Sequence, residues 1–222
     1  MLMIAALIWI AWHVGVAGSR LRGQIVRRIG EGPFRGIFSV GSIGLIIWLA
    51  RSYNTAATVP LWHPPIWLGA LLVLAMLPAA VLFVGSVTEP NPTAVGGERA
   101  PAQPRGIQRI TRHPMLLSFA IWAGVHIIAN GDTASLVFFG AFLITALAGM
   151  PSIDAKLARR SPETWRPLAA QTSIVPFAAI VAGRNQIVWS EIGWWRPALG
   201  LLLWGLLLYL HHLVVGVSPL PH

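Results

Sequence analysis

Cysteine is absent from this chain, and charge is scarce, since Asp, Glu, Lys and Arg together make up 10% of its 222 residues. Without cysteine the chain can form no disulfide, no thiolate metal site and no cysteine nucleophile. Soluble domains carry about 25% charged and about 45–50% apolar residues, whereas 55% of these residues are hydrophobic. The sparse charge and the apolar excess together predict a protein whose surface faces lipid.

The apolar residues fall into six runs, each close to the roughly 17–25 residues that a membrane-spanning helix requires. The runs are Leu2–Gly18, Phe34–Ala50, Ile66–Val87, Pro114–Ala129, Thr133–Met150 and Trp194–Gly216. In the fourth and shortest run, Pro114 suits the first helical turn, where no backbone donor is needed. We therefore predict an all-α fold, a polytopic membrane helical bundle of about six transmembrane helices, as one domain over residues 1–222.

Lysine and arginine are concentrated in alternate loops between these runs. Of the 16 basic residues, fourteen lie in the first, third and fifth loops, which hold five, four and five of them. Because basic loops stay on the cytoplasmic side, we expect both termini outside the cytoplasm, in a bacterial inner membrane. The net charge of +9 does not indicate nucleic-acid binding, because the cations form no soluble basic face.

Two apolar segments, one in the fifth loop and the first of the six runs, each require a separate interpretation. The segment SIVPFAAIVAG in the fifth loop is too short to cross a bilayer, so we expect it to pack on the cytoplasmic face of the bundle. The first run lacks a basic n-region and a small-residue cleavage signal. We therefore expect that run to be a retained helix rather than a signal peptide.

Apart from Arg35 and Arg196 at the starts of two runs, the ionisable residues to consider in the predicted runs are histidines, whereas Asp and Glu are absent from all six. The histidines in the runs or at their ends are His13, His113, His126, His211 and His212. An ionisable residue inside a membrane span is a functional hypothesis by default. The lack of carboxylates argues against a carboxylate proton relay and against a pair of carboxylates for general acid and base catalysis.

Neutral imidazole in an apolar site is a suitable ligand for haem iron; the alternative is that each histidine satisfies a nearby carbonyl or hydroxyl. His113 and His126 are thirteen residues apart, about 20 Å along one helix, so they cannot share a metal. A second ligand for His126 must come from another helix. The spacing leaves His13, His211 and His212 open, and the last two match His126 better in depth.

Five segments carry a likeness to a known family: HVGVAGSRLR, GEGPFRGIFS, GIQRITRHPM, IWAGVHIIANGD and TSIVPFAAIVAGRNQ. In these segments, in this order, the chain resembles the NnrU family, and it looks most like the branch that contains 15-cis-zeta-carotene isomerase. The resemblance implies a membrane protein that binds haem b. It implies that His13 and His126 are the metal ligands, and it places the family's Arg-His-Pro signature at Arg112, His113 and Pro114.

The resemblance also implies an activity, the cis-to-trans isomerisation of a poly-cis carotene such as 9,15,9′-tri-cis-zeta-carotene. The hydrophobic polyene would enter from the bilayer. Arg112 and His113 are then candidate cofactor-binding residues, with a helix start, a substrate gate or a ligand as possible roles. The chain departs from that branch at Ala123, where the isomerase has a cysteine that serves as an alternative ligand.

Two other functions are open on sequence grounds. One is a non-catalytic haem protein linked to nitrogen-oxide respiration, as the family name implies, which would share the fold and the ligands. The other is a membrane methyltransferase, because the Arg-His-Pro tripeptide also occurs in enzymes that hold S-adenosylmethionine. Against the second, Met115 to Ser118 lack the glycine that usually follows, and no later acidic pair is present.

Overall fold

A computed structural model describes residues 1–94, 97 and 100–220. Arg99, counted above among the cations of the third loop, and His222 lie outside these residues. The helices are α1 (Leu2–Ile10), α2 (Arg20–Ile29), α3 (Glu31–Asn54), α4 (Ile66–Thr88), α5 (Pro114–Asn130), α6 (Thr133–Arg160), α7 (Pro162–Gln171), α8 (Ala178–Val181), α9 (Trp189–Ile192) and α10 (Trp195–Val215). The described residues contain no strand, only one isolated bridge, so the predicted all-α class is confirmed.

The number of membrane spans is lower than six when length and composition are applied strictly. Four helices, α3, α4, α6 and α10, are long and apolar enough to cross a membrane, and α1 with α2 forms one further bent pair. Helix α5 is apolar, but its 17 residues place it among the shorter helices. The structure therefore supports four or five spans, and the predicted count of six is not established.

Local sequence explains the boundary between α5 and α6. Helix α5 begins with Pro114, as predicted, and ends at Gly131, whose φ of +62° is a left-handed conformation that glycine adopts at low cost. A Cβ at Gly131 would lie 2.1 Å from the carbonyl oxygen of Trp62. Asp132 then caps α6 by accepting a hydrogen bond from the Ser135 N–H. The two helices therefore form an antiparallel hairpin.

Helix α1 does not end as a regular α-helix. It continues as a π-helix over Ala11–Ala17, and the chain then bends by 70° into α2. The bend frees backbone carbonyls, and α6 satisfies two of them: Lys156 donates to Ala17 O at 2.5 Å, and Ser152 donates to Gly18 O at 2.9 Å. Such π-helical turns are frequent at functional sites, and this one contains His13.

Helix α6 lies between α1 and α5, and α4 lies between α5 and α10. The pairs of contacting residues show that α10 runs antiparallel to α4: Arg196 meets Thr88, and Trp204 donates to Val73 O. Helix α5 is also antiparallel to α4, since Trp62, just before α4, donates to Ile128 O near the end of α5. Helices α5 and α10 therefore run parallel on either side of α4.

The fifth loop contains no further span. Residues 174–181 form turns and the four-residue helix α8, with Phe177 in a left-handed conformation at φ +62°. The loop is held against the start of α5, because the Arg112 N–H donates to Ser173 O and the Thr111 hydroxyl donates to Ile174 O. The prediction that this apolar segment packs on the bundle without crossing it is confirmed.

Helix α6 extends beyond the run that was predicted for it, and the extension contains a carboxylate. We expected that span to end at Met150, but the helix continues through Pro151 to Arg160 and includes Asp154. Proline removes one backbone donor, yet Ile153 and Leu157 maintain the apolar spacing of a helix beyond it. Asp154 is buried, with 7% of its surface exposed.

Candidate functional site

The ring of His126 lies four residues before the end of α5, among aromatic side chains. Its centroid is 4.7 Å from that of Phe139 and 5.2 Å from that of Trp122. Nδ1 lies 2.7 Å from Trp122 O, and because a carbonyl can only accept, Nδ1 carries the proton. Nε2 therefore has a free lone pair, and it has no hydrogen-bond partner among the described residues.

His211 on α10 lies close to His126. The two ring centroids are 6.4 Å apart, and the ring planes are inclined by 25°. Nδ1 of His211 donates to Val217 O at 2.7 Å, because Gly216, at φ +82°, turns the chain back toward the helix end. His212, the next residue, is exposed.

His13 has a different environment within the π-helix. Its Nδ1 donates to Trp9 O at 3.0 Å, while Nε2 faces the hydroxyl oxygen of Ser42 at 3.3 Å. The Ser42 oxygen also accepts a hydrogen bond from Trp12 Nε1 and lies 2.8 Å from Phe38 O. The single proton of the Ser42 hydroxyl is donated to Phe38 O, so the second nitrogen of His13 lies beside a polar side chain.

Three aromatic rings separate His13 from His126. Trp9 lies against His13 with a centroid distance of 3.9 Å, Phe142 of α6 is 4.8 Å from Trp9, and Trp122 is 5.4 Å from Phe142. No contact joins His13 and His126 within the described chain. The pairing of these two histidines on one iron therefore stays a prediction.

Both ligands that the family resemblance implies donate a hydrogen bond to a backbone carbonyl. His13 and His126 each donate Nδ1 to the carbonyl four residues earlier. Such a bond fixes the tautomer and the ring orientation of a metal-ligating histidine. The same bond is expected under the alternative interpretation, in which each histidine only satisfies a backbone carbonyl. The two interpretations therefore differ at Nε2 of His126, which is free to bind a metal.

Arg112 and His113 form a buried polar cluster with Asp154. The Arg112 guanidinium donates to Asp154 Oδ2 from Nε at 2.9 Å and from Nη2 at 2.7 Å. His113 Nε2 donates to Asp154 Oδ1 at 2.8 Å. The His113 side chain is 1% exposed. Of the roles considered for the Arg-His-Pro signature, these contacts support the helix start, because both residues tie α5 to α6.

The same cluster counts against the methyltransferase alternative. Arg112 and His113 would have to reach S-adenosylmethionine, but their polar atoms are directed at Asp154. Arg112 is further covered by Trp165, whose ring centroid lies 5.3 Å from the guanidinium carbon. A cofactor would have to displace these contacts to bind either residue.

A bare metal ion has no obvious binding site in the described part of the chain, where no group of three or more His, Asp or Glu residues could hold one. Haem requires only one or two protein ligands, and the free Nε2 of His126 meets that requirement. Two cavities of about 220 and 440 Å³ lie elsewhere, one beside Glu89, Arg105 and Glu191 and one beside the first residues of α1. Neither is lined by His13, His126 or His211.

Sequence reasoning missed two residues of these sites. Asp154 was overlooked because the predicted span ended at Met150, although the apolar spacing of Ile153 and Leu157 signals that the helix continues. Ser42 gave no signal, because one serine in an apolar run is common. Its role depends on the approach of α3 to the π-helix, which only the structure shows.

Comparison with known proteins places these helices in a family. The model of the family described as NnrU protein matches residues 1–219. The chain is 29% identical over 194 residues to 15-cis-zeta-carotene isomerase, chloroplastic, of Arabidopsis thaliana, which is 83% of this chain and 51% of that protein. It is 25% identical over 199 residues to the protein of the same name from Zea mays, covering 84% and 52%.

The chain thus spans about half the length of the curated relatives it matches. No solved structure matches it. The family model nonetheless covers all the helices described above, including those that carry His13, His126, His211 and the Arg112–Asp154 cluster. On that match, the chain belongs to the NnrU family.

Proposed function

We propose that this protein is a membrane isomerase that converts a cis double bond of a poly-cis carotene to trans, with haem b as its cofactor. The names of the relatives support the carotene isomerase activity. The observation that carries the cofactor is His126, whose Nδ1 is fixed by Trp122 O while Nε2 faces an apolar, aromatic environment with its lone pair free.

The residues of the chain contribute ligation, orientation and exclusion of water. His126 would hold the iron, with the stacked Phe139 and the carbonyl of Trp122 fixing the angle of its ring. Haem bound there would supply redox-active iron, a chemistry that no side chain of these helices offers. His13 is the second ligand that the family resemblance implies, and its Nε2 would have to move away from Ser42 to bind the iron.

A polyene substrate could approach this site directly from the lipid. Helix α10 packs mainly on α4 and leaves large apolar side chains exposed, among them Leu202 at 66%, Leu206 at 49% and Tyr209 at 74%. His126 lies on α5, at the same end of the bundle, and its ring centroid is 6.4 Å from that of His211 on α10. A carotene dissolved in the bilayer therefore need not cross a polar surface to reach the histidine.

The proposal is tested by incubating the purified protein in liposomes with 9,15,9′-tri-cis-zeta-carotene under reducing conditions. We expect the 9,9′-di-cis isomer to accumulate, measured by chromatography, and we expect His126→Ala to abolish the conversion. His63→Ala, a change in an exposed loop, is the matched control and should convert normally. Absence of conversion by haem-loaded wild-type protein would refute the isomerase function.

A second function is supported by Ala123. This residue is fully buried three positions before His126 and stands where the isomerase branch has cysteine, so no thiolate can replace a histidine ligand. A haem protein that senses or delivers haem in nitrogen-oxide respiration would not need such an exchange. Retained haem without any isomerisation would favour this alternative.

A further inference from the structure

We propose that His126 and His211 are the two axial ligands of a single haem iron, an inference that rests on the haem dependence proposed above. It replaces His13, the partner implied by family resemblance, with a residue of α10. The proposal is carried by the relative position of two rings, by the state of their nitrogen atoms and by the helices that hold them.

The separation of the rings suits two ligands on opposite sides of one metal. Metal–imidazole bonds are about 2.0–2.1 Å long, and a ring nitrogen lies about 1.1 Å from the ring centre. Two imidazoles in line through a metal therefore have centroids about 6.2 Å apart. The observed separation is 6.4 Å, close to this value, and the planes are inclined by only 25°.

Both rings are in the tautomer that a ligand requires. His126 Nδ1 donates to Trp122 O, and His211 Nδ1 donates to Val217 O, each at 2.7 Å. The proton is thereby held on Nδ1, and the lone pair of Nε2 is left for a metal. Within the described residues, neither Nε2 has a hydrogen-bond partner, in contrast to that of His13, which faces Ser42.

The helices place the two rings at one depth. Helices α5 and α10 run parallel on either side of α4, His126 lies four residues before the last residue of α5, and His211 lies four residues before the last residue of α10. His13, by contrast, lies beyond the layer of Trp9, Phe142 and Trp122. To pair with His126 it would have to displace that aromatic layer and abandon Ser42.

The test compares His211→Ala, His212→Ala and His13→Ala in the full-length protein purified from membranes. Wild type should give a low-spin absorption spectrum, and the small inclination of the ring planes should give a rhombic low-spin EPR signal. His211→Ala should convert the spectrum to high-spin. His212→Ala, one residue away and exposed, is the matched control, and it and His13→Ala should keep the low-spin spectrum.

Loss of haem by His211→Ala could also reflect misfolding, so His211→Gly provides a second measurement. Added imidazole should restore the low-spin spectrum of His211→Gly, because it can occupy the space of the missing side chain. His13→Gly should give a low-spin spectrum without added imidazole. A low-spin spectrum that survives His211→Ala but not His13→Ala would overturn this pairing and support the family's. Wild-type protein without haem would overturn the cofactor itself, while haem ligated as proposed without isomerisation would refute only the activity.

Discussion

Asp154 of α6 lies 2.7 Å from the guanidinium of Arg112, the residue two positions before α5 begins. The pair is largely buried, with the two side chains 10% and 12% exposed. The backbone carbonyl of Arg112 in turn accepts a hydrogen bond from the hydroxyl of Thr93, and its N–H donates to Ser173 O. One buried ion pair therefore ties α6 to α5 and to the loops that follow α4 and α7.

We predict that Asp154→Asn destabilises the protein by about 3–5 kcal/mol, because it leaves the Arg112 charge buried without a partner. For a chain of this size the midpoint of thermal unfolding should fall by on the order of 10 °C. Unfolding in detergent, followed by circular dichroism, measures the change. Glu163→Gln, at an exposed position of α7, is the control, and an equal loss there would contradict the importance of the pair.

The fold was largely predictable because hydrophobic runs of membrane length leave few alternatives to a helical bundle. Sequence placed the start of α5 at Pro114 and the packing of the fifth loop correctly. It could not place the end of α6, because proline is compatible both with ending a helix and with continuing one when packing compensates for the lost hydrogen bond. The unexpected carboxylate, Asp154, follows from that one boundary.

A second prediction concerns the contact between α3 and the π-helix. A Cβ at Gly41 would lie 2.7 Å from Trp12 Cζ2, and the Trp12 ring is fixed by its hydrogen bond to Ser42 and by stacking on Phe38 at 5.4 Å. Gly41→Ala should therefore cost about 1–3 kcal/mol through overpacking. Gly44→Ala in the same helix meets nothing within 4 Å and should instead stabilise by about 0.5–1 kcal/mol, because alanine favours the helix.

The two glycine variants are compared by thermal unfolding in one detergent. Opposite shifts of the midpoint would support close packing of Trp12 on α3. If Gly41→Ala were as stable as Gly44→Ala, the π-helix that contains His13 would not pack against α3 as described.

A third prediction concerns pH and lies outside the membrane-spanning helices. Arg109 donates to both carboxylate oxygens of Glu191, at 2.7 and 2.8 Å, and this lowers the pKa of Glu191 from 4.5 to about 2. A carboxylate with a lowered pKa stabilises the folded state fully above its unfolded pKa and less as pH falls toward its folded pKa. The stabilisation should therefore be complete at pH 7 and fade between about pH 4.5 and pH 2.

The measurement compares wild type with Glu191→Gln across this range. At pH 7 the variant should be less stable by about 1.5–3 kcal/mol, the usual contribution of a charge-assisted hydrogen bond. The two proteins should converge as pH approaches 2, because Glu191 of the wild type then becomes neutral too. A constant difference across the whole range would show that the pair contributes through packing rather than through charge.

The candidate site was less predictable than the fold. Sequence singled out the histidines as the unusual residues, since imidazole inside a span requires a partner. It could not decide which rings share a space, because that depends on helix order around α4 and on the turn at Gly216 that orients His211. Depth along each helix favoured His211 and His212, and only the packing of α10 distinguishes between them.

The last prediction concerns orientation in the membrane. The loops rich in arginine and lysine meet at one end of the bundle. There Arg109, Arg112 and Arg184 bind residues of α9, α6 and α7, respectively, and Lys156 binds the bend after α1. Arg51 lies at the opposite end, in the last turn of α3. Because cations near span ends remain cytoplasmic, the end with Arg51, which also carries His126 and His211, should face away from the cytoplasm. Alkaline phosphatase fused to the C-terminus or inserted after Gly131 should therefore be active, and inserted after Glu163 it should be inactive. Activity in the reverse pattern would invert the topology and place the proposed haem near the cytoplasmic face instead.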